Sequence, residues 1–562
     1  MLLGAAHAHS EQAVASAHPL ATEAGLEILR SGGNAFDAAV AVSAVLAVVE
    51  PYSSGMGGGG FWLLYRALDR HTVVIDGRER APLQATRALY LDAQGALIPG
   101  ASIDGPKSAA IPGTPAALVH IARKYGRLPL SKTLKPAIRI ARSGFPVTPL
   151  YQKMTEFRLK ALQISPDAAR IFLDQGKVPT IGTLIKQPEL ASTFEQLAQH
   201  GHAGFYSRSV AKKLVREVRK AGGLWTTRDL TTYRIKERRP IVGHYKNLII
   251  TSAPPPSSGG VALITMLNIL ERFNLEKQTP EIRVHLLIEA MRRAYRDRAQ
   301  YLGDPDFVKV PVTRLTSKAY AGTLAQTIDL KKATASSALP EAVAPRDSGR
   351  QTTHFSIIDQ QGNRVAATLT INYAFGSAYV VPGTGVLLND EMDDFATKPG
   401  APNIYGLIGG EANAIAPGKR PLSSMTPTFI ESKDRIALLG TPGGSRIITM
   451  VLLALLEFEQ GATAKHMVQQ PRFHHQYLPD QVQFEPDALS PELQNALSLL
   501  GHALKPLEST YGNMQVLLWD KRTRQIDAAS DPRGIGTASV LYLVGEGIIP
   551  FLRWQIGYQE CR

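Results

Sequence analysis

Gln351-Thr352-Thr353-His354-Phe355-Ser356 joins a segment of no regular pattern to a run that reads as a strand, with a hydroxyl nucleophile at the junction. Upstream, Ala333 to Gln351 is rich in Ala, Ser, Pro and Gly and has neither helical nor strand period. Downstream, Phe355-Ser356-Ile357-Ile358-Asp359 alternates as a half-buried strand does. A processing boundary fits between Gln351 and Thr352. A threonine hydroxyl is a weak nucleophile by itself. A threonine at a new N-terminus carries its own base, an α-amine that titrates near about pH 8 beside its Oγ. Thr pairs are also what a pleated strand favours, so Thr-Thr-His-Phe alone leaves a purely structural reading open.

Three further polar clusters follow in order, each at the edge of an apolar run: Asn389-Asp390-Glu391-Met392-Asp393-Asp394-Phe395, Pro421-Leu422-Ser423-Ser424-Met425 and Thr441-Pro442-Gly443-Gly444-Ser445-Arg446. With these motifs, and from His18-Pro19-Leu20-Ala21 to Ser530-Asp531-Pro532-Arg533, the chain resembles the γ-glutamyltranspeptidase (γ-glutamyltransferase) family of N-terminal-nucleophile hydrolases. The resemblance covers nearly the whole chain. It implies an α+β fold, a four-layer αββα sandwich with Thr352 at the end of a central strand. It implies a precursor that cuts itself into a large segment, 18–351, and a small one, 352–562, packed as one unit. Its substrates would be glutathione and other γ-glutamyl compounds, with water or amino acid and dipeptide amines as acceptors. The family also implies a periplasmic or secreted enzyme. Residues 1–17 would then be a tail, in which Ala6-His7-Ala8 resembles the end of a truncated secretory signal lacking its basic and apolar parts.

The chemistry assigns each cluster a task. Thr352 Oγ attacking the Gln351 carbonyl gives an ester that water opens. The same hydroxyl then attacks an external γ-glutamyl carbonyl, with its α-amine carrying the proton. The consecutive N–H groups of Gly443-Gly444 suit an oxyanion hole, because glycine permits close approach; a tight turn after the strand Ile436–Gly440 is the plain alternative. A glutamyl head needs both charges met. Arg78 offers a planar fork to the α-carboxylate, and Asp394, with Glu391 and Asn372, accepts from the α-ammonium. Ser423 and Ser424 add hydroxyl bonds to the carboxylate. Taken singly, Arg78 could be a surface partner of Glu79 and the serines a helix cap or turn. Together these positions match the family's substrate pocket, and Thr353 and Thr370 match the threonines around its nucleophile.

The loop Pro399-Gly400-Ala401-Pro402-Asn403-Ile404-Tyr405-Gly406 is heavily punctuated by proline and glycine and resembles the family's lid, with Tyr405 closing over the bound group. Its presence argues against the first alternative, a cephalosporin-acylase-like relative acting on another acyl amide. A non-catalytic relative that keeps the pocket for binding is the second.

The positioning elements read as mixed α and β without a strict βαβ rhythm. Leu20 to Leu29 has helical spacing and stops at Gly32-Gly33; Asp37 to Val49 is a second, buried helix ending before Pro51. Gly55-Met56-Gly57-Gly58-Gly59-Gly60-Phe61 lacks the Lys-Ser or Lys-Thr of a phosphate loop and reads as close backbone packing. Leu248 to Ser252 is a strand that runs through Pro254–Gly260 into a helix over Val261 to Arg272.

Composition suits a large globular enzyme: 562 residues, 44% hydrophobic. The net charge of +14 is scattered, and its densest part, Lys212 to Arg239, reads as solvated helix faces, so nucleic-acid binding is not expected. The sequence contains no apolar run of transmembrane length. Cys561 is the only cysteine, which excludes an intrachain disulfide. His474-His475 point apart on any regular element and have no partners at ligand spacing, so neither a metal nor a cofactor is expected.

Overall fold

A computed structural model describes residues 11–339, 352–401, 403, 407 and 409–542. Two antiparallel sheets organise it. The first has seven strands in the order Thr537–Leu541, Gln12–Ser16, Thr353–Ile358, Arg364–Thr370, Gly59–Arg66, His71–Asp76 and Lys236–Arg238. The second has six, in the order Ile526–Ser530, Gln515–Asp520, Arg435–Gly440, Thr428–Glu431, Leu248–Ser252 and Ile241–Tyr245.

Period-two alternation sorts these strands into layers. Ala13, Ala15, Phe61, Leu63 and Ala366 of the first sheet meet Phe429, Ile436, Leu438 and Leu517 of the second in one core between the sheets. The alternate residues, Val14, Trp62, Phe355, Ile357 and Val365, pack instead on the helices Pro19–Arg30 and Ala35–Val49. On the far side, Ile250, Ile430, Leu439 and Val516 pack on Gly259–Leu270, Pro280–Tyr301 and Ile447–Glu459. The result is the expected αββα sandwich. Both faces of the inner strands are covered, so Thr353–Ile358, expected to be half-buried, and Arg364–Thr370 are buried throughout, and their polar side chains bond one another, His354 with Thr368 at 2.8 Å and Ser356 at 3.3 Å.

Local signals explain the helix bounds. Asn34 caps Ala35–Val49 in a capping box with Asp37, so the helix begins two residues before the expected Asp37. The helix expected over Val261–Arg272 runs Gly259–Leu270. The glycine run at 57–60 is required by close approach: a Cβ at Gly57 would lie 2.0 Å from Leu387 O, and one at Gly58 2.1 Å from Thr370 O.

One expectation needs correction. Ala333–Gln351 was read as lacking regular structure throughout, yet Ser336–Ala338 forms a 3-10 turn. Partners from distant sequence hold it: Thr334 N–H donates to Glu289 at 3.1 Å, and Ser336 N–H to Asp480 at 2.7 Å. Residues 340–351 lie outside the described residues. Among those described, no helix is long and apolar enough to cross a membrane.

Candidate active site

Three strand ends converge on one pocket. Thr353 pairs with Leu369 across neighbouring strands, which brings Thr352, just before one strand, beside Thr370, the last residue of the other. From the second sheet, Arg435–Gly440 runs into Thr441–Gly444. The sheets touch here: a Cβ on Gly440 would lie 2.3 Å from the His354 ring. The pocket is partly open to solvent and is lined by Arg78, Thr352, Thr370, Asn372, Glu391, Asp394, Leu407, Ser423, Ser424, Met425, Gly444 and Ile447.

The pocket hydroxyls of Thr370, Ser423 and Ser424 each accept a hydrogen bond from a neighbour. Thr370 Oγ1 accepts from Asn372 N–H at 2.7 Å, leaving its own O–H to donate. Ser423 Oγ accepts from Met425 N–H at 3.1 Å, and Ser424 Oγ from Arg298 at 3.3 Å, so both likewise retain a donor. Asn372 has φ of +73°, a left-handed conformation that asparagine tolerates; its Nδ2 donates to Asp390 O at 3.1 Å.

Gly443 and Gly444 have φ of +143° and +55°, which a side chain would resist. Gly444 opens a 3-10 turn that leads into the helix Ile447–Glu459. Negative charge developing near these N–H groups would also meet the positive end of that helix.

At the opposite end of the pocket Arg78 is fully buried. Its guanidinium donates to Glu391, Asp394 and, at 3.3 Å, to Glu79; its Nε donates to Pro421 O at 3.1 Å. Burial alone would lower the guanidinium pKa, but Glu391, Asp394 and Glu79 reverse this and hold it charged. Burial raises the carboxyls in turn, Glu79 to about 7 and Glu391 further, against the pull of Arg78. One guanidinium faces three carboxyls here. The Oε2 atom of Glu391 is buried without a hydrogen-bond partner among the described residues.

The sequence places Arg78 and Asp394 at opposite ends of a ligand; in the structure they bond directly to each other, because a buried guanidinium needs a carboxylate partner. Thr353 turns away from the pocket and donates to Glu50 at 2.7 Å. Gln351 and Tyr405 lie outside the described residues, as do Pro402, Ile404 and Gly406 of the expected lid loop. Not anticipated were the apolar wall of Leu407, Met425 and Ile447, and the roles of Glu50 and Arg298 behind the pocket. A helix end before proline and an arginine in a basic helix carry no local signal of such contacts.

The histidines singled out in sequence have local partners. His474 bonds Thr449 and Gln476, each at 2.9 Å, and His475 bonds Asp480 at 3.2 Å. Elsewhere, His285, Glu289 and His502 bring three metal-capable atoms within 4.8 Å of one another. Glu289 is ion-paired to Arg292 and Arg293 there, which opposes a cation.

Comparison with known proteins adds the following. The model of the family described as gamma-glutamyltranspeptidase matches residues 21–541. The glutathione hydrolase proenzyme of Escherichia coli (strain K12) is 42% identical over 535 residues, covering 94% of this chain and 91% of that protein. The crystal structure of cephalosporin acylase from Bacillus halodurans superposes with a TM-score of 0.83 at 28% identity, covering 94% and 96% of the two chains. That of Helicobacter pylori gamma-glutamyltranspeptidase gives 0.56 at 39% identity, covering 58% of this chain and 94% of the other.

Proposed function

The chain belongs to the gamma-glutamyltranspeptidase family, and from that premise we propose that it is a self-processing γ-glutamyltransferase and glutathione hydrolase with Thr352 as nucleophile. The observation that carries this reading is the pocket itself: a hydroxyl at the start of a central strand faces a charged cluster suited to an α-amino acid head.

Maturation begins with Thr352 Oγ attacking the Gln351 carbonyl. The peptide C–N bond breaks as the ester C–O bond forms, the nitrogen takes the proton, and water hydrolyses the ester. The large segment then ends at Gln351 and the small one starts at Thr352. In turnover the γ-glutamyl carbonyl takes the place of that peptide. Arg78 with Ser423 and Ser424 receives the α-carboxylate, while Glu391, Asp394 and Asn372 receive the ammonium. Ligand binding therefore exchanges the Arg78–Asp394 contact for two contacts to the ligand, which leaves every buried charge paired. The α-amine of Thr352 takes the Oγ proton, Thr370 donates to the nucleophile, and the N–H groups of Gly443 and Gly444 stabilise the oxyanion. The proton returns to the leaving amine, and water or an amino acid or dipeptide amine removes the γ-glutamyl group.

The relationship to cephalosporin acylase keeps a second reading in view, turnover of another acyl amide. The Arg78–Glu391–Asp394 cluster favours a zwitterionic head over an uncharged acyl chain. Kinship to glutathione hydrolase proenzymes supports a periplasmic or secreted site of action. Turnover of a γ-glutamyl anilide and of glutathione, set against an acyl anilide lacking the α-amino and α-carboxylate groups, tests the proposal. Preference for the last would favour the acylase reading.

A further inference from the structure

Glu50 follows the helix Ala35–Val49 and lies beneath the first residue of the nucleophile's strand. It is 2% exposed. Its Oε2 accepts from Thr353 Oγ1 at 2.7 Å and its Oε1 from the Tyr52 hydroxyl at 3.4 Å. Burial pushes its carboxyl up to about 7, opposed only by these two hydrogen bonds; among the described residues no cation contributes. The groups around it do not supply one. Tyr52 and Tyr151, on its own side, are kept neutral by burial. On the pocket side Glu391 and Asp394 are acidic, and Arg78 is committed to them.

A buried carboxylate is costly unless a cation meets it. In the uncut chain the nitrogen of Thr352 is an amide and carries no charge. After cleavage it is an amine, one residue from the Thr353 hydroxyl that Glu50 holds. We propose that Glu50 is a positioning residue for the mature nucleophile, fixing Thr353 and supplying the counter-charge to the α-ammonium that cleavage creates on Thr352. The inference rests on the reading of Thr352 as an N-terminal nucleophile. In the precursor the carboxyl keeps its proton, and its burial costs little. On maturation that proton passes to the new amine, giving a carboxylate and an ammonium. An adjacent negative charge favours the ammonium, so the amine releases its proton, and becomes a base, at higher pH than it would alone.

The test is the pH dependence of kcat/KM for a γ-glutamyl anilide, with intact mass, for wild type, Glu50→Gln and Glu50→Asp. Glutamine keeps the shape and one accepting oxygen but lacks the charge, its amide nitrogen donating where the second carboxylate oxygen accepts. The expected result is a Glu50→Gln enzyme cut at Thr352 whose acidic limb lies lower than wild type by on the order of one pH unit, with Glu50→Asp close to wild type. A cut Glu50→Gln enzyme with an unmoved limb overturns the role of Glu50 and leaves the nucleophile assignment standing. If Glu50→Gln stays uncut, Glu50 acts before cleavage whether or not Glu50→Asp is cut, and a role confined to the mature amine is overturned. A wild type that never cuts at Thr352 removes the inference together with its premise.

Discussion

The Arg78 guanidinium is bonded to the Asp394 carboxylate inside a pocket that Thr352 also lines. The two side chains expected to grip opposite ends of a ligand thus hold each other. If they bind the head group as proposed, binding opens this contact, and affinity is set by the difference between two sets of charge pairs rather than by new contacts alone.

The first prediction follows from that exchange. Asp394→Ala should be cut normally and lose kcat/KM on glutathione by roughly 30-fold to several thousand-fold, the equivalent of about 2–5 kcal/mol. Arg78→Ala should lose at least as much and also melt at lower temperature, since it leaves the buried carboxyls of Glu79, Glu391 and Asp394 without their cation. Steady-state kinetics and thermal melts check both. Unchanged kcat/KM in two normally cut variants would mean the head group binds elsewhere.

Thr370→Val keeps shape and removes the hydroxyl that accepts from Asn372 N–H. Its kcat should fall by about 100-fold or more with KM nearly unchanged, and Thr370→Ser should recover most of the loss. A rise confined to KM would make Thr370 a binding residue instead.

Gly444→Ala places a side chain at φ of +55° and shifts an N–H proposed for the oxyanion hole. Loss of one such donor costs about 100- to 1,000-fold in kcat. Single-turnover acylation measured by rapid quench should slow by that factor. Equal acylation rates in variant and wild type would assign the glycines to the turn alone.

Several buried histidines make stability sensitive to acid. Burial lowers His354 to about 3, His475 to about 4 and His18 to about 4. Each binds protons more weakly folded than unfolded, so the unfolded state holds more protons at low pH and stability rises with pH. The stabilisation is present above about pH 6.5, the unfolded value, and is lost as pH falls through the folded values. The contribution of these rings should therefore fall between about pH 6 and pH 4, while the raised carboxyls of Glu50 and Glu79 act in the opposite sense, so the measurement is the pH profile of the melting temperature for His18→Gln and His475→Gln beside wild type, in which each variant should lose less stability on acidification. Variant profiles parallel to wild type would mean that these rings are not buried neutral in solution.

Much of this arrangement was legible before any coordinates. Leu248–Ser252 is the strand expected, and Pro19–Arg30 extends the expected Leu20–Leu29 by one residue at each end, because alternation and helical spacing are local properties. Thr352, Arg78, Glu391, Asp394 and Ser423 were legible through motif order. Their mutual engagement was not: Arg78 and Asp394 are 316 positions apart, and only the fold decides which carboxylate reaches a buried guanidinium. Glu50 lies between the expected helix end at Val49 and Pro51 and had no role in the sequence reading. Its contact spans 303 positions to Thr353, and no local pattern records it. The anchoring of Ser336–Ala338 was missed for the same reason, since its partners come from Glu289 and Asp480.

The shared acyl-enzyme gives a further prediction. Raising pH from about 7 to 9 deprotonates an α-amine acceptor whose ordinary pKa is near 8, whereas water is available throughout. With glycylglycine present, γ-glutamyl-glycylglycine should therefore gain on free glutamate over this range. Glutamate as sole product at high acceptor concentration and alkaline pH would leave a hydrolase without transferase activity.

The central claim is that one hydroxyl, Thr352 Oγ, both cuts the chain and turns over substrate. Intact mass spectrometry of freshly purified protein, followed over time beside γ-glutamyl anilide turnover of the same samples, tests it most directly. The account predicts two fragments, the smaller beginning at Thr352, with activity rising in step with their appearance, and a Thr352→Ala variant that stays uncut and inactive. A single uncut chain with full activity, or an active Thr352→Ala protein, would contradict it.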